Sequence, residues 1–473
     1  MRKISMHCGP LLGVLLGGLL AASCAGGGGG GDSDVLDTKT FWAQSAIDDT
    51  YYQLTADLLA IGNHCTVWVE RESRGRVSAQ GARNVAAAYD SGVYPAMMDN
   101  FVISGQISDG STVNTMEYAD VDGDGKLCIL LLDIKDGWTP GSGYVDGYFW
   151  PGNLFGSTSY PNSNQKDMIY VDAYPGTPGS DSSNSTLAHE LQHLLNFTAS
   201  YLSSTRNGTL MDLWIDEGLS SAAEYVYQGS HVTNRVNWYN TDLYGTIAKG
   251  NNFFRWENNG KTGSPNSVLD EYATVYLFFQ WLRIQSGGTN GIYKNIISSQ
   301  KADYRAVTEA VYDSLTSSVM TDGEDWDSLL KTWLAANYIN APSGPYGYGN
   351  DPVLKDVHAK TAPATPTTLS LYPGEGVYSV ISPSYTASPS GSIKYAGLNK
   401  ASPSITSYNN GDWLLTYNAN TNKGAESENG SLTGNAANVV PSAARTVGDL
   451  DYRIDFRGPD LVFPVPFVLG GEE

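Results

Sequence analysis

Two histidines four residues apart, with a glutamate beside the first, make His189-Glu190-Leu191-Gln192-His193 the stretch of this chain whose spacing is dictated by chemistry. On a helix, residues four apart lie one above the other, so His189 and His193 can aim two imidazoles at one metal ion. Glu190 is then placed to take a proton from a water at that ion. Two histidines do not complete a catalytic zinc site, which needs three protein ligands and one open position. Glu217, in Leu213-Trp214-Ile215-Asp216-Glu217-Gly218, follows after twenty-three intervening residues, enough for one helix to end and a second to return alongside. On that second helix Glu217, Ser221 and Glu224 share a face, so Glu217 is read as the third ligand and Glu224 as an acceptor that orients a ligand histidine. A hydrolytic site also needs a donor to the developing oxyanion. Tyr272, opening the apolar run Ala273-Thr274-Val275-Tyr276-Leu277, is the choice, with Tyr276 and His231 as alternatives.

These residues need elements to hold them. Leu187, Leu191, Leu194 and Leu195 lie on the other side of the first helix and bury it in a core. The polar stretch 176–185 reads as a loop, with helix-capping candidates at 183–185. Further helical periodicity covers 210–227, 267–284, 303–314 and 326–338, and an earlier helix covers 77–101. Strands are expected within 37–75, at 127–134, at Gly147-Tyr148-Phe149-Trp150 and at Asp167-Met168-Ile169-Tyr170-Val171-Asp172. One of the last two is either a sheet edge that a substrate peptide pairs with or plain sheet core. Asp120, Asp122 and Asp124 resemble the start of a calcium loop. Leu131 stands where such a loop needs a bidentate acid, however, so a tight turn competes with a calcium site there.

Acids outnumber bases 49 to 28, for a formal net charge of −21, which argues against a nucleic-acid partner and a polybasic membrane face. Arg2, Lys3 and the apolar run 11–20 read as an export signal, too short to span a membrane. Leu20-Ala21-Ala22-Ser23-Cys24 has the form of a bacterial lipobox, although Ala21 stands where the pattern prefers Leu; an ordinary secretory signal is the alternative. Cys24 would carry the lipid, and the glycines after it would tether the protein to a membrane. Cys65 and Cys128 then either pair in an oxidising compartment or remain buried thiols. The expected organisation is a signal at 1–23, a tether at 24–36, an α/β sheet subdomain at 37–184 and a helical catalytic subdomain at 185–345. A linker at 346–367 and a β-sandwich-like module at 368–473 follow, the latter including the alternating Tyr452-Arg453-Ile454-Asp455-Phe456.

The two metal motifs together resemble those of the gluzincin metallopeptidases. The nearest likeness is to the hyicolysin family of bacterial neutral metallopeptidases, through residues 185–193, Trp214-Ile215-Asp216-Glu217-Gly218-Leu219-Ser220 and 272–282. The resemblance covers roughly residues 115–340. It implies an α+β, zincin-like metallopeptidase core: a mixed sheet packed on the active-site helix, then a helical lobe. It also implies one zinc ion on His189, His193 and Glu217. Likeness to the membrane-alanyl aminopeptidases implies parts for Glu224 and Tyr272 as well. Two departures stand out. Thermolysin-like enzymes carry an Asp where this chain has Ser221, and the aminopeptidases' Gly-x-Met-Glu-Asn motif is absent, with Thr115-Met116-Glu117-Tyr118 too far upstream to replace it. The resulting expectation is a lipid-anchored, extracytoplasmic zinc endopeptidase acting on proteins or peptides. Its rivals are an aminopeptidase and an inactive surface-anchored binding lipoprotein that works through its C-terminal module.

Overall fold

The computed structural model describes residues 34–433, except 108–109, 141–142, 243–244, 246, 251–252, 255–266, 316–318, 363–367, 382–385, 389–390, 424 and 426–427. The expected export signal, Cys24, most of the tether and residues 434–473 lie outside the described residues.

Runs of β-branched and large apolar residues build strands β1 (Asp37–Gln44), β2 (Tyr51–Ile61) and β3 (Cys65–Glu70), followed by a small hairpin of β4 (Ser104–Gln106) and β5 (Thr112–Asn114). Strands β6 (Leu127–Leu132), β7 (Gly147–Phe149) and β8 (Met168–Asp172) join the first three in a mixed six-stranded sheet, ordered β1-β2-β3-β6-β8-β7. Its central pairs, β3 with β6 and β6 with β8, are parallel, while β7 is an antiparallel edge strand on β8. Parallel strands are generally covered on both faces, and every residue of β6 is buried. Leu127, Ile129 and Leu131 face the helices, while Cys128, Leu130 and Leu132 pack with Trp68, Tyr148 and Tyr170 on the opposite side. The same alternation decides the cysteines. Thr66 is the register partner of Cys128, which puts Cys65 and Cys128 on opposite faces of the sheet. Both are free, buried thiols, and burial pushes Cys65 up to about 12.

Helix α1 (Ala79–Ala88) is capped by Ser78, whose side chain accepts the Gly81 N–H. A π-helical turn at Tyr89–Val93 joins it to α2 (Tyr94–Asn100), so the single helix expected at 77–101 carries an inserted turn. After the short α3 (Thr115–Ala119) comes α4 (Asp181–Leu202), which packs against the sheet through β7 and β8. The cap of α4 is Ser180, accepting from Ser183 N, and not one of residues 183–185. The helix therefore begins inside the stretch read as a loop. It is buried nearly along its whole length, and truncating Leu191 or Leu194 to Ala would cost about 2–5 kcal/mol.

Helix α5 (Leu213–Gln228) packs on α4 and stops at Gly229, whose φ of 63° is the left-handed conformation that commonly ends helices. The helical region continues with α6 (Thr233–Thr241), α7 (Ser267–Gln285), α8 (Gly291–Ile297), α9 (Tyr304–Leu315) and α10 (Trp326–Ile339); α7, α9 and α10 lie close to the bounds read from periodicity, while α6 and α8 are additional to them. None of the described helices is long and apolar enough to cross a membrane. Beyond α10, Tyr348, Leu354 and Val357 are buried within the stretch read as a linker. Strands β9 (Thr361–Ala362), β11 (Gly376–Val380), β13 (Ile393–Asn399), β14 (Ser404–Thr406) and β15 (Trp413–Asn418) form a five-stranded sheet. Strands β10 (Thr368–Leu371), β12 (Thr386–Ser388) and β16 (Glu428–Thr433) form a second sheet of three. The larger sheet docks on α10, with the Tyr378 hydroxyl donating to the Leu334 carbonyl at 2.7 Å and that of Tyr417 to Asp327 at 2.6 Å. Mixed sheet, helices and C-terminal strands agree with the expected α+β class.

Candidate metal centre

The third ligand comes from α5, which packs on α4 and also against α7. A Cβ on Gly218 would fall 2.1 Å from the Phe279 ring of α7, so only glycine lets α5 sit this tightly beside its neighbour. Glu217, one residue earlier, reaches the histidines of α4. Its Oε2 lies 3.3 Å from His189 Nε2 and 3.7 Å from His193 Nε2. All three side chains are buried, and one ligand atom from each lies within 4.8 Å of the others. The three facing atoms, His189 Nε2, His193 Nε2 and Glu217 Oε2, make no hydrogen bond. Leaving such groups buried and unsatisfied is costly unless something binds them together. A zinc ion suits two imidazole nitrogens and a carboxylate oxygen, and the residues present fit it.

The other nitrogen of each imidazole is anchored. His189 Nδ1 lies 2.8 Å from Glu224 Oε1, which also accepts from Arg235 at 3.0 Å. His193 Nδ1 lies 2.8 Å from Asp216 Oδ2, and Asp216 accepts from the Asn196 amide at 2.6 Å. Ser220, held by Gln192, approaches the same His193 nitrogen at 3.1 Å. Acceptors at Nδ1 present Nε2 to a metal, the usual outer-shell arrangement around ligand histidines. Burial opposes an imidazolium at His189, but the carboxylates of Glu217 and Glu224 outweigh it and raise the group to about 10. At His193 burial is likewise outweighed, by Asp216 and Glu217, giving about 9. The centre thus attracts positive charge, and a dication would displace those protons. Burial also resists ionisation of Glu224, yet Arg235 and His189 hold it below the usual carboxylate range.

Glu190 is fully buried beside the histidines, and burial pushes it up to about 7 against their pull. Its neighbour across the gap is the edge strand. A Cβ on Gly147 would come within 2.8 Å of Thr186 Cγ2 and 3.5 Å of Glu190 Cγ, so glycine lets β7 run against α4 at this point. Tyr272 is also brought to the centre, its ring 6.2 Å from that of His189, and burial with the Glu217 charge close by holds its hydroxyl well above its ordinary range. The guanidinium of Arg235 lies over the Tyr272 ring at 4.6 Å. The two alternative donors are engaged with each other: His231 Nδ1 is 2.8 Å from the Tyr276 hydroxyl, and its Nε2 is 3.0 Å from Asp351.

Asp216, Arg235 and Asp146 were not singled out from the sequence. Asp216 adjoins Glu217 in the motif, which is a usable signal, whereas Arg235 sits on the next helix with nothing in its spacing to mark it. Asp146 precedes β7 and accepts from the Thr186 hydroxyl at 2.5 Å. Burial lifts its carboxyl to about 6, which that hydroxyl partly offsets. Glu117, in the segment weighed against the aminopeptidase motif, closes a capping box with Asn114. The calcium reading is not supported. Asp120, Asp122 and Asp124 do gather, but the Lys166 ammonium pairs with Asp122 and lies 4.0 Å from Asp124, and Asp120 accepts the Gly125 N–H of the turn.

No family model matches the chain. Over 346 residues it is 28% identical to the Neutral metalloprotease ShpI of Staphylococcus hyicus, an alignment that takes in 72% of this chain and 71% of that protein. This likeness, spanning the residues of the centre as well as much of the fold around them, supports a neutral metallopeptidase family.

Proposed function

We propose that the protein is a zinc-dependent endopeptidase with a zincin-like core, of the hyicolysin type. The observation that carries this reading is the convergence of three buried ligand atoms without hydrogen bonds on two packed helices, with Glu190 next to the first of them. The likeness to a neutral metalloprotease supports the same conclusion. His189, His193 and Glu217 hold the zinc, which supplies Lewis acidity when bound. Glu190 takes a proton from the attacking water and delivers it to the leaving amine, a task that a carboxyl poised near neutrality suits. The Tyr272 hydroxyl donates to the carbonyl oxygen as it gains charge. Glu224 and Asp216 hold the two imidazoles in orientation. Edge strand β7 offers backbone groups to an extended substrate, so cleavage within a protein chain needs no grip on a free amino terminus. Glu190→Gln should lower kcat/KM on casein or a mixed peptide library by roughly 10²–10⁴-fold. Activity near that of the unaltered protein would remove Glu190 from the mechanism.

The substrate is a protein or peptide, met outside the cytoplasm. That location rests on residues 1–24, with lipid on Cys24 as the membrane anchor. Labelled palmitate should enter the protein and fail to enter Cys24→Ala; equal labelling of both would dismiss the anchor.

A further inference from the structure

Beside the metal centre lies a cleft of about 220 Å³, and its lining bears on which substrates fit. It opens next to His189 and Glu224, and Thr186 forms part of its wall. Thr186 precedes His189 by three residues on α4, so the cleft lies about one helical turn from a metal ligand. A side chain adjoining the scissile bond has that reach. Among the described residues that line the cleft Val232 is the one aliphatic side chain; hydroxyls, amides, imidazoles and charged groups make up the rest. An apolar side chain would meet little complementary surface there and would strip water from groups that need it.

The charges in the cleft sort themselves into satisfied and unsatisfied. Glu224 and Arg235 pair at 3.0 Å, and Arg235 also lies over Tyr272. His231 is held between Asp351 and Tyr276, and its burial favours the neutral ring. Asp146 has the Thr186 hydroxyl, while no lysine or arginine among the described residues forms an ion pair with it. Asp172 lies nearby, its own oxygens accepting the N–H groups of Ile134 and Gly176, and burial pushes its carboxyl up to about 7. Asp146 is thus a buried carboxylate in an otherwise balanced polar cleft, lacking a cation.

The geometry points to Asp146 as a specificity-determining residue that selects a basic side chain, lysine or arginine, next to the scissile bond. This rests on the peptidase reading above and adds a preference to it. A long basic side chain reaches into the cleft with its stem along the walls and its charged head at Asp146, where Thr186, Ser185 and Gln228 can accept its remaining hydrogens.

Peptides blocked at both ends and differing only in lysine or norleucine beside the cleaved bond test the assignment, because the side chain is then the sole cation. The unaltered protein should cleave the lysine peptide with a kcat/KM at least about tenfold above that of the norleucine peptide, about 1.4 kcal/mol. Asp146→Asn should bring that ratio close to one. Ser182→Lys, at an exposed rim position of the cleft, should lower it several-fold without altering the buried wall, so the test does not hang on the folding of one variant. Cleavage of both peptides at equal rates, or a preference that survives both substitutions, would overturn the assignment while leaving the peptidase reading intact. Calorimetric titration of Glu190→Gln protein with the same peptides reads the cleft without turnover. Tighter binding of the lysine peptide, lost on adding Asp146→Asn, supports the assignment even if the unaltered protein cleaves neither peptide, an outcome that would count against the peptidase reading alone. Equal binding of the two peptides would overturn it.

Discussion

Among the described residues two groups of side chains have the make-up of a metal site, and they differ in burial, partners and charge balance. His189, His193 and Glu217 are buried, and their facing atoms make no hydrogen bond. Asp120, Asp122 and Asp124 lie near the surface, with Lys166 among them and the turn backbone on one of their oxygens. Both groups bring ligand atoms close together. The first has lone pairs already taken out of water and anchored at their far ends by Glu224 and Asp216, so binding an ion returns a desolvation cost that folding has incurred. The second already has a cation. Proximity of acids alone therefore discriminates poorly; burial, unsatisfied ligand atoms and outer anchors discriminate well.

The most damaging challenge to this contrast is to remove a ligand. His193→Ala and Glu217→Ala should each abolish stoichiometric zinc in metal analysis, and chelation should silence the unaltered protein. Full zinc retention by either variant would break the contrast at its stronger side. Next in size, Glu224→Gln and Asp216→Asn should weaken zinc about 10–100-fold in competition with a chelator, since each leaves the ligands but loosens one imidazole.

A smaller effect concerns Asp167, a buried carboxyl beside the acidic turn. Burial, with Asp120 and Asp124 adding to it, raises the group to about 8. The folded protein thus keeps a proton there that the unfolded chain releases near pH 4. Stability is lost as pH rises from about 4 to about 8 and loses nothing further above that. Asp167→Asn should remove this slope, so its melting temperature should gain on the parent's with rising pH. A constant difference across that range would refute the assignment. The smallest effect is expected at the turn itself. Asp122→Ala, which breaks only the pair with Lys166, should cost about 0–1 kcal/mol, and added calcium should leave the melting of the parent unchanged. A calcium-induced rise in melting temperature that Asp122→Ala abolishes would reverse the reading of this cluster.

Much of the centre is legible in the sequence, because helical periodicity is short-range. His189 and His193 share a face at any site where the helix forms, and Glu217, Ser221 and Glu224 do so on the second helix. Glu224 meets His189 at 2.8 Å, a pairing whose choice of histidine the spacing left open. The partner of His193 was harder to see: Ser221, where thermolysin-like enzymes carry an Asp, is buried, and Asp216 serves His193 instead. Which carboxylate reaches which ring depends on how α5 is rolled against α4, a tertiary contact that helical spacing alone does not specify. The start of α4 was equally undecidable locally, because Ser180, Ser182, Ser183 and Ser185 all have capping side chains. Only Ser180 takes the extended backbone, φ −73° and ψ 161°, that directs its oxygen to Ser183 N. The cysteines depended on strand register, which local patterns do not specify.

The sequence by itself determined the ingredients and their local phase: two imidazoles one turn apart, a glutamate beside the first, and a third carboxylate on a helix long enough to present it. Helical geometry makes that much independent of the rest of the fold. Only the tertiary structure decided that the three ligand atoms meet in a dry interior, that Asp216 and Arg235 complete their surroundings, and that Asp146 faces the adjoining cleft without a cation. Those are contacts between residues far apart in the chain. They follow from how sheet, α4 and α5 bury their apolar faces together, a cooperative outcome that no short stretch of sequence contains.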